Sequence, residues 1–271
     1  MKRIGILPCM VTLGNLLCGF GALAVIAHAP GSDWSRELLI AAWLIMLAMV
    51  FDMFDGKVAR ATNQMSDFGG DLDSLCDLVS FGAAPALIIY VLCYRIFHYP
   101  VSLALLLSGC YVCATAVRLA RFNVDNSHDD EAHQFFQGLA SPAAAGAIAS
   151  LVILNHHLVD LHRFMGSAKH ASSIALEILP IVALASAGLM VSSVPYVHFT
   201  NLLVKRRRPP ELAVLCAAFG LFLIFQTEFT IFCVFGGYMA SGPMAYFHRR
   251  AFGADDIYEE EDEEEDEEAI V

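Results

Sequence analysis

Charge is what this 271-residue chain has least of. Only 16% of its residues are Asp, Glu, Lys or Arg, whereas a soluble domain uses about 25% to cover its surface. With 57% hydrophobic residues and a mean hydropathy of +0.59, this shortage excludes an ordinary soluble globular domain. A basic surplus is also missing. Of the 28 acids, 12 lie between Asp255 and Glu268, leaving 16 acids against 16 bases elsewhere. The net charge of −12 therefore belongs to the tail, the body is neutral, and nothing calls for a nucleic-acid partner. No repeat of fixed period is present. The eight cysteines all fall in apolar stretches and read as small packing residues. Cys110 and Cys113 have redox spacing without the βαβ setting that gives it meaning.

What is present is a series of apolar runs approaching the ~20 residues that cross a bilayer. They cover Leu7–Ala27, Leu38–Phe54, Leu72–Tyr94, Val101–Val117, Leu139–Leu154, Ile178–Phe199, Leu212–Phe225 and Phe229–Phe247. The expected fold is an all-α polytopic bundle of about eight spans. Residues 1–254 form the membrane domain, and 255–271 form an acidic tail that like-charge repulsion keeps disordered. Twelve bases (Lys2, Arg3, Lys57, Arg60, Arg118, Arg121, Lys205 through Arg208, Arg249 and Arg250) fall on one side of this topology. Four (Arg36, Arg95, Arg163 and Lys169) fall on the other. By the positive-inside rule both termini and the segment near Asp55 are cytoplasmic. Ala27-His28-Ala29 resembles a signal-peptide cleavage site, but Pro30 follows it and Thr12 and Asn15 interrupt the apolar run, so the first span reads as retained. His156, His157, His162 and His170 gather in what reads as one hydrated outer loop.

Six aspartates (Asp52, Asp55, Asp67, Asp71, Asp73 and Asp77) crowd the end of the second span and the start of the third. Such a side chain at the bilayer centre costs ~2.5–3.5 kcal/mol on insertion scales. Asp67 and Asp71 suit interfacial helix ends. The other four are spaced three and four apart, which places each pair on one helical face with Cβ atoms ~5–6 Å apart. Two such pairs on helices joined by a short loop can converge, and convergent carboxylates repel unless a cation sits among them. Hard oxygen ligands select Mg²⁺, Mn²⁺ or Ca²⁺, and Mg²⁺ commonly completes its shell with substrate phosphates. Gly56 and Gly69 allow close approach to the backbone, and Arg60 offers a planar donor fork suited to phosphate.

The order Asp52-x-x-Asp55-Gly56-x-x-Ala59-Arg60, eight residues, then Gly69-x-x-x-Asp73-x-x-x-Asp77 resembles the signature of the CDP-alcohol phosphatidyltransferases, with every position filled. The resemblance implies transfer of a phosphatidyl group from a CDP-linked lipid to an alcohol, with release of CMP. It assigns Asp52, Asp55, Asp73 and Asp77 to a pair of divalent metals (Mg²⁺ or Mn²⁺), and Asp77 also to the role of general base. Gly56, Arg60, Ser66, Ala59 and Gly69 would lie at the CDP moiety, joined by Thr12 and Asn15 from the first span. The resemblance allows a homodimer, although nothing in the sequence marks its interface.

Further stretches, Asp73 to Pro85, Val117 to Asn123, Phe136 to Ala145 and Leu189 to Ser192 with Tyr196, look like the branch of the family whose acceptor is L-serine and whose donor is CDP-diacylglycerol. Arg118, Arg121 and Asn123, at a cytoplasmic helix end, are the candidate acceptor residues; Arg118 and Arg121 also suit simple positive-inside anchoring. Two other readings stand beside this one. One is the same chemistry with glycerol 3-phosphate or inositol phosphate as acceptor. The other is a divalent-cation transporter, which would want carboxylates at mid-membrane and two related halves. The tail contributes none of the motif residues, so truncation after Gly253 is expected to leave catalysis intact. A large loss of turnover in the truncated enzyme would show that the tail takes part.

Overall fold

The computed structural model describes residues 6–28, 34–62, 67–128, 136–164, 176–196 and 226–252. Helix α1 covers Ile6–His28 and α2 covers Ser35–Ala61. A continuous rod follows, built from α3 (Asp67–Asp77), a π-helical segment (Leu78–Ala83), α4 (Ala84–Val91) and a second π-helical segment (Leu92–Ile96). Then come α5 (Val101–His128), α6 (Ser141–Phe164), α7 (Leu179–Val191) and α8 (Thr227–Phe252). The only extended pairing among the described residues joins β1 (Phe136–Gln137) to β2 (Pro195–Tyr196), antiparallel, with Phe136 opposite Tyr196. The architecture is thus helical apart from this short pairing, and among the described residues five helices are long and apolar enough to cross a membrane: Pro8–His28, Ser35–Val58, Phe68–Ile96, Val101–Val124 and Ser141–Leu161.

Burial separates the central helices from the outer ones. About two thirds of the third and fifth of these helices lie inside the protein (67% and 61%), against 28–33% of the other three. α6 can be central because it presents small residues: Ala143, Ala144, Ala145, Ala147 and Ala149 are buried. A Cβ on Gly146 would come within 2.7 Å of the Phe235 ring on α8. Without a hydrophobic drive between helices in lipid, close packing at small residues does the work of association. Outside, large apolar side chains such as Leu17, Phe20, Ile181 and Leu184 are exposed, as a lipid-facing surface requires.

Three expectations need correction. The sixth run does not stay helical to Phe199: α7 ends at Val191, Ser192 is extended (ψ 161°), and Pro195 and Tyr196 enter the β pairing. Proline lacks an N–H and disfavours helix at the residue before it, which overrides the apolar character of the segment. Gly138 (φ 81°) makes the opposing turn, where a Cβ would meet the Met190 and Ser192 carbonyl oxygens at 2.9 Å. His156 and His157 are in α6 rather than in a loop; His156 lies 3.4 Å from Asp160 and His157 3.6 Å from Glu228. Cys110, Cys113 and Cys233 are exposed, not packed inside, because the outside of a membrane bundle is as apolar as its core. α2 and α5 also run past the apolar runs to Ala61 and His128, since a helix does not stop where its hydrophobic stretch does. Leu212–Phe225, Lys205 through Arg208, His170 and the acidic tail lie outside the described residues.

The first π-helical segment begins immediately after Asp77. A π turn offsets the backbone hydrogen-bond pattern, so its carbonyls need partners. The fully buried Tyr111 donates its hydroxyl to the Phe81 carbonyl at 3.2 Å. Ser80 Oγ donates in turn to the Asn15 carbonyl on α1 at 3.0 Å. At this crossing a Cβ on Gly19 would lie 2.7 Å from the Ser80 Cα, so only glycine lets the two backbones meet. Gly19→Ala is expected to cost about 1–3 kcal/mol, read as a lowered unfolding temperature in detergent. An unchanged value would mean that α1 does not seat against the π segment.

Candidate functional site

The last turns of α2 and the body of α3 carry the signature. One carboxylate oxygen from each of Asp52, Asp55 and Asp73 lies within 4.8 Å of the other two. Asp55 is buried, and Asp52 and Asp73 are half-buried. Asp55 Oδ2 and Asp73 Oδ1 have no hydrogen-bond partner, and among the described residues no Lys or Arg pairs with any of the three. At ~5 Å each pair of like charges repels by about 3 kcal/mol at an effective dielectric constant near 20. A hard divalent cation removes that cost, and three closely spaced carboxylate oxygens, two of them with unshared buried lone pairs, form a donor set of the right chemistry for one. The residues present fit the metal.

Asp77 stands apart from this trio. It is buried, and its Oδ1 accepts a hydrogen bond from the Asn15 amide nitrogen at 2.8 Å. Asn15 is fully buried, and its own Oδ1 has no partner. Thr12, one turn before Asn15, donates back to the Pro8 carbonyl at 3.1 Å. α1 therefore supplies the fourth aspartate with a fixed neighbour, whereas α2 and α3 supply the other three with each other.

The remaining candidates fall into two groups. On the water side, Arg60 is exposed and its Nε donates to the Gly56 carbonyl at 3.2 Å. A Cβ on Gly56 would meet nothing within 4 Å, so the space above it is open to a ligand. Gly69 is half-buried on α3, Ala59 lies in the last turns of α2, and Ser66 lies outside the described residues. On the α5 side, Arg118 is not a helix-end anchor: α5 continues to His128, and Arg118 is buried with its Nε donating to the Leu139 carbonyl. Asp77, Arg121 and the Tyr238 phenol lie within electrostatic reach of it. Arg121 is half-buried and Asn123 exposed. Asn123 Nδ2 lies 2.9 Å from Ser74 Oγ, tying α5 to α3 one residue from Asp73.

Sequence reasoning missed Ser74, Ser80 and Tyr238. Ser74 and Ser80 lie within the matched stretches and could have been found by their place on the helical face of Asp73 and Asp77. Tyr238 carries no local signal, because its neighbours come from α5 and β2. The Tyr196 ring lies 5.4 Å from that of Tyr238 and its hydroxyl donates to the Met239 carbonyl at 3.1 Å.

Comparison with known proteins agrees with this geometry. Residues 5–183 match the family described as CDP-alcohol phosphatidyltransferase. The chain is 33% identical over 165 residues to the CDP-diacylglycerol–serine O-phosphatidyltransferase of Helicobacter pylori, covering 61% of this chain and 63% of that protein. It is 36% identical over 122 residues to the protein of the same name from Bacillus subtilis (45% and 63%). With the one from Saccharomyces cerevisiae it shares 34% over 148 residues (52% and 51%). The chain thus spans less than two thirds of the length of these curated relatives.

If the trio holds the cation, Asp55→Ala should lower Mn²⁺ affinity at least 10-fold, by analogy with the cost of disturbing metal ligation. Mn²⁺ titration followed by electron paramagnetic resonance reads this directly. Wild-type affinity in the variant would remove Asp55 from the site.

Proposed function

Since the chain belongs to the CDP-alcohol phosphatidyltransferase family, we propose that it is an integral membrane enzyme transferring the phosphatidyl group of CDP-diacylglycerol to the hydroxyl of L-serine. The observation that carries this reading is the division of the signature aspartates into a metal-suited trio and a separately held Asp77. Similarity to proteins named for the serine reaction supports the choice of acceptor.

Asp52, Asp55 and Asp73, with Asp77 at the edge of the group, would hold a pair of Mg²⁺ or Mn²⁺ ions, which would supply positive charge to neutralise the diphosphate and the departing CMP. The chain's own groups do the rest. Arg60 and the open surface over Gly56, with Ser66, Ala59 and Gly69, bind the CDP end of the donor at the interface, and its acyl chains stay in lipid. Thr12 and Asn15 line the same nucleotide side. Asp77 accepts the proton of the serine hydroxyl. The serine oxygen then bonds to the phosphorus of the phosphatidyl group as the bond from that phosphorus to the oxygen of CMP breaks. The products are phosphatidylserine and CMP, and the proton rests on Asp77. Asn15, bonded to Oδ1, leaves Oδ2 of Asp77 to face the substrate.

The positive-inside distribution supports eight spans with both termini and the site on the cytoplasmic side, where CDP, a water-soluble group, is met. Arg118, with Arg121 and Asn123 nearby, takes the acceptor. Purified protein in detergent, given CDP-diacylglycerol and Mn²⁺ or Mg²⁺, is expected to release CMP with L-serine and not with glycerol 3-phosphate or inositol phosphate. Release only with a phosphorylated acceptor would overturn the serine reading. Asp77→Asn should lower turnover by ~10²–10⁴-fold while leaving the unfolding temperature close to wild type. Full activity in that variant would remove Asp77 as the base.

A further inference from the structure

α1 is an apolar helix, yet near its middle it encloses an amide completely. Asn15 has no exposed surface, and its only side-chain hydrogen bond among the described residues runs from Nδ2 to Asp77 Oδ1 at 2.8 Å. The other end of the amide, Oδ1, is buried without a partner. A buried carbonyl oxygen that lacks a donor costs free energy, which an apolar side chain of similar size would not. Packing alone therefore favours leucine at this position, and what asparagine adds is the bond to Asp77. The amide's orientation follows as well, because turning it over would set Oδ1 against a carboxylate oxygen.

A second bond ties the same residue to the same rod. The Asn15 main-chain carbonyl accepts from Ser80 Oγ at 3.0 Å, and Ser80 lies three residues beyond Asp77 in the π-helical segment. Side chain and main chain of one residue are both engaged, so the placement of α1 against Asp77 is set at two points. The surroundings are equally firm. Gly19 lets its backbone meet that of Ser80, and the buried Tyr111 holds the Phe81 carbonyl at 3.2 Å. Asp52, Asp55 and Asp73 have no such attachment: their carboxylates are grouped with one another. Among the described residues, Asp77 alone of the four accepts a hydrogen bond from a neutral side chain of another helix.

We propose that Asn15, beyond lining the nucleotide side, is a positioning residue for Asp77: its amide occupies Oδ1 and holds the carboxylate so that Oδ2 is the oxygen offered to the acceptor hydroxyl. A carboxylate free to turn about its Cβ–Cγ bond presents either oxygen at varying angles. One held at Oδ1 presents a single oxygen in a single direction, and proton transfer depends on that geometry. The proposal rests on the reading of Asp77 as the base given above. It does not depend on which alcohol is the acceptor, since only the hydroxyl meets Oδ2.

The experiment follows CMP release from CDP-diacylglycerol, L-serine and Mn²⁺ by the wild type, Asn15→Asp, Asn15→Leu, Asp77→Asn, and Asp77→Asn combined with each Asn15 substitution. Asn15→Asp keeps the shape of the side chain and its Oδ1 but removes the donor, whereas Asn15→Leu removes both. Neither touches the main-chain bond from Ser80. Each is expected to lower kcat about 10–100-fold, the size of one lost hydrogen bond to a charged group. The KM for CDP-diacylglycerol should stay close to wild type, which also reports that the variants are folded. A variant whose unfolding temperature collapses is replaced by Asn15→Ala, which removes the same donor. In the Asp77→Asn background the Asn15 substitutions should cost little further turnover, because the group that Asn15 serves is already gone. Equal losses in the two backgrounds would mark a merely structural role and overturn the proposal. So would a raised KM for CDP-diacylglycerol with kcat unchanged, which would make Asn15 a nucleotide contact only. Full activity of Asp77→Asn by itself defeats the underlying reading of the base instead, so the two failures are distinct.

Discussion

Like charges held close together in an apolar setting set the terms for the rest of this structure. Asp52, Asp55 and Asp73 bring carboxylate oxygens within 4.8 Å of one another at the ends of two membrane helices. Neither helix could tolerate this alone at the bilayer centre. The arrangement persists because it lies where the helices leave the apolar zone and where the trio can share one counter-charge. Asp77 lies within electrostatic reach of all three, and the amide of Asn15 gives this fourth carboxylate a neutral donor of its own. The result is a division within one motif: three carboxylates clustered with one another and a fourth bonded to a neutral amide.

The backbone around Asp77 serves that division. Within the π-helical segment Ser80 bonds the Asn15 carbonyl on α1, and Gly19 lacks the side chain that would block the approach. The irregular carbonyls cost little because Tyr111 reaches in from α5 to satisfy one of them. Irregular backbone at membrane depth is tolerable only where other protein groups complete its hydrogen bonds. Here the groups that do so belong to the helices flanking the site.

Some of this was legible in the sequence, and the reasons are local. Asp52 and Asp55, and Asp73 and Asp77, are linked by helical periodicity alone, so their convergence follows once two helices and a short loop are granted. The first five apolar runs correspond to helices long and apolar enough to cross a membrane, because the length of an apolar run is itself a local signal. Where readings failed, a non-local term prevailed. The run to Phe199 is apolar throughout, yet Pro195 and the pairing partner at Phe136–Gln137 end the helix at Val191. Arg118 has the sequence context of an interfacial anchor, but α5 runs on to His128 and turns it inward. His156 and His157 looked like loop residues because polarity was taken for a helix end, whereas α6 extends beyond the bilayer-length stretch. Asn15 sits 62 positions before Asp77, and no period connects them.

The two sides of the site are built by different means, and that bears on how such a protein could change its acceptor. The metal and nucleotide side is written in one short stretch, with each residue fixed by helical spacing to the next, so altering any one disturbs the geometry of all. The side facing α5 is assembled from contributions far apart in the chain: Arg118, the Leu139 carbonyl and the β1–β2 brace. Each of these can vary without moving an aspartate. A reaction common to a family needs the first kind of construction, because the chemistry at phosphorus is the same whatever the alcohol. Choice among alcohols needs the second, because under the proposed reading Arg118 and the groups that hold it can vary while Asp77 and the trio keep their places.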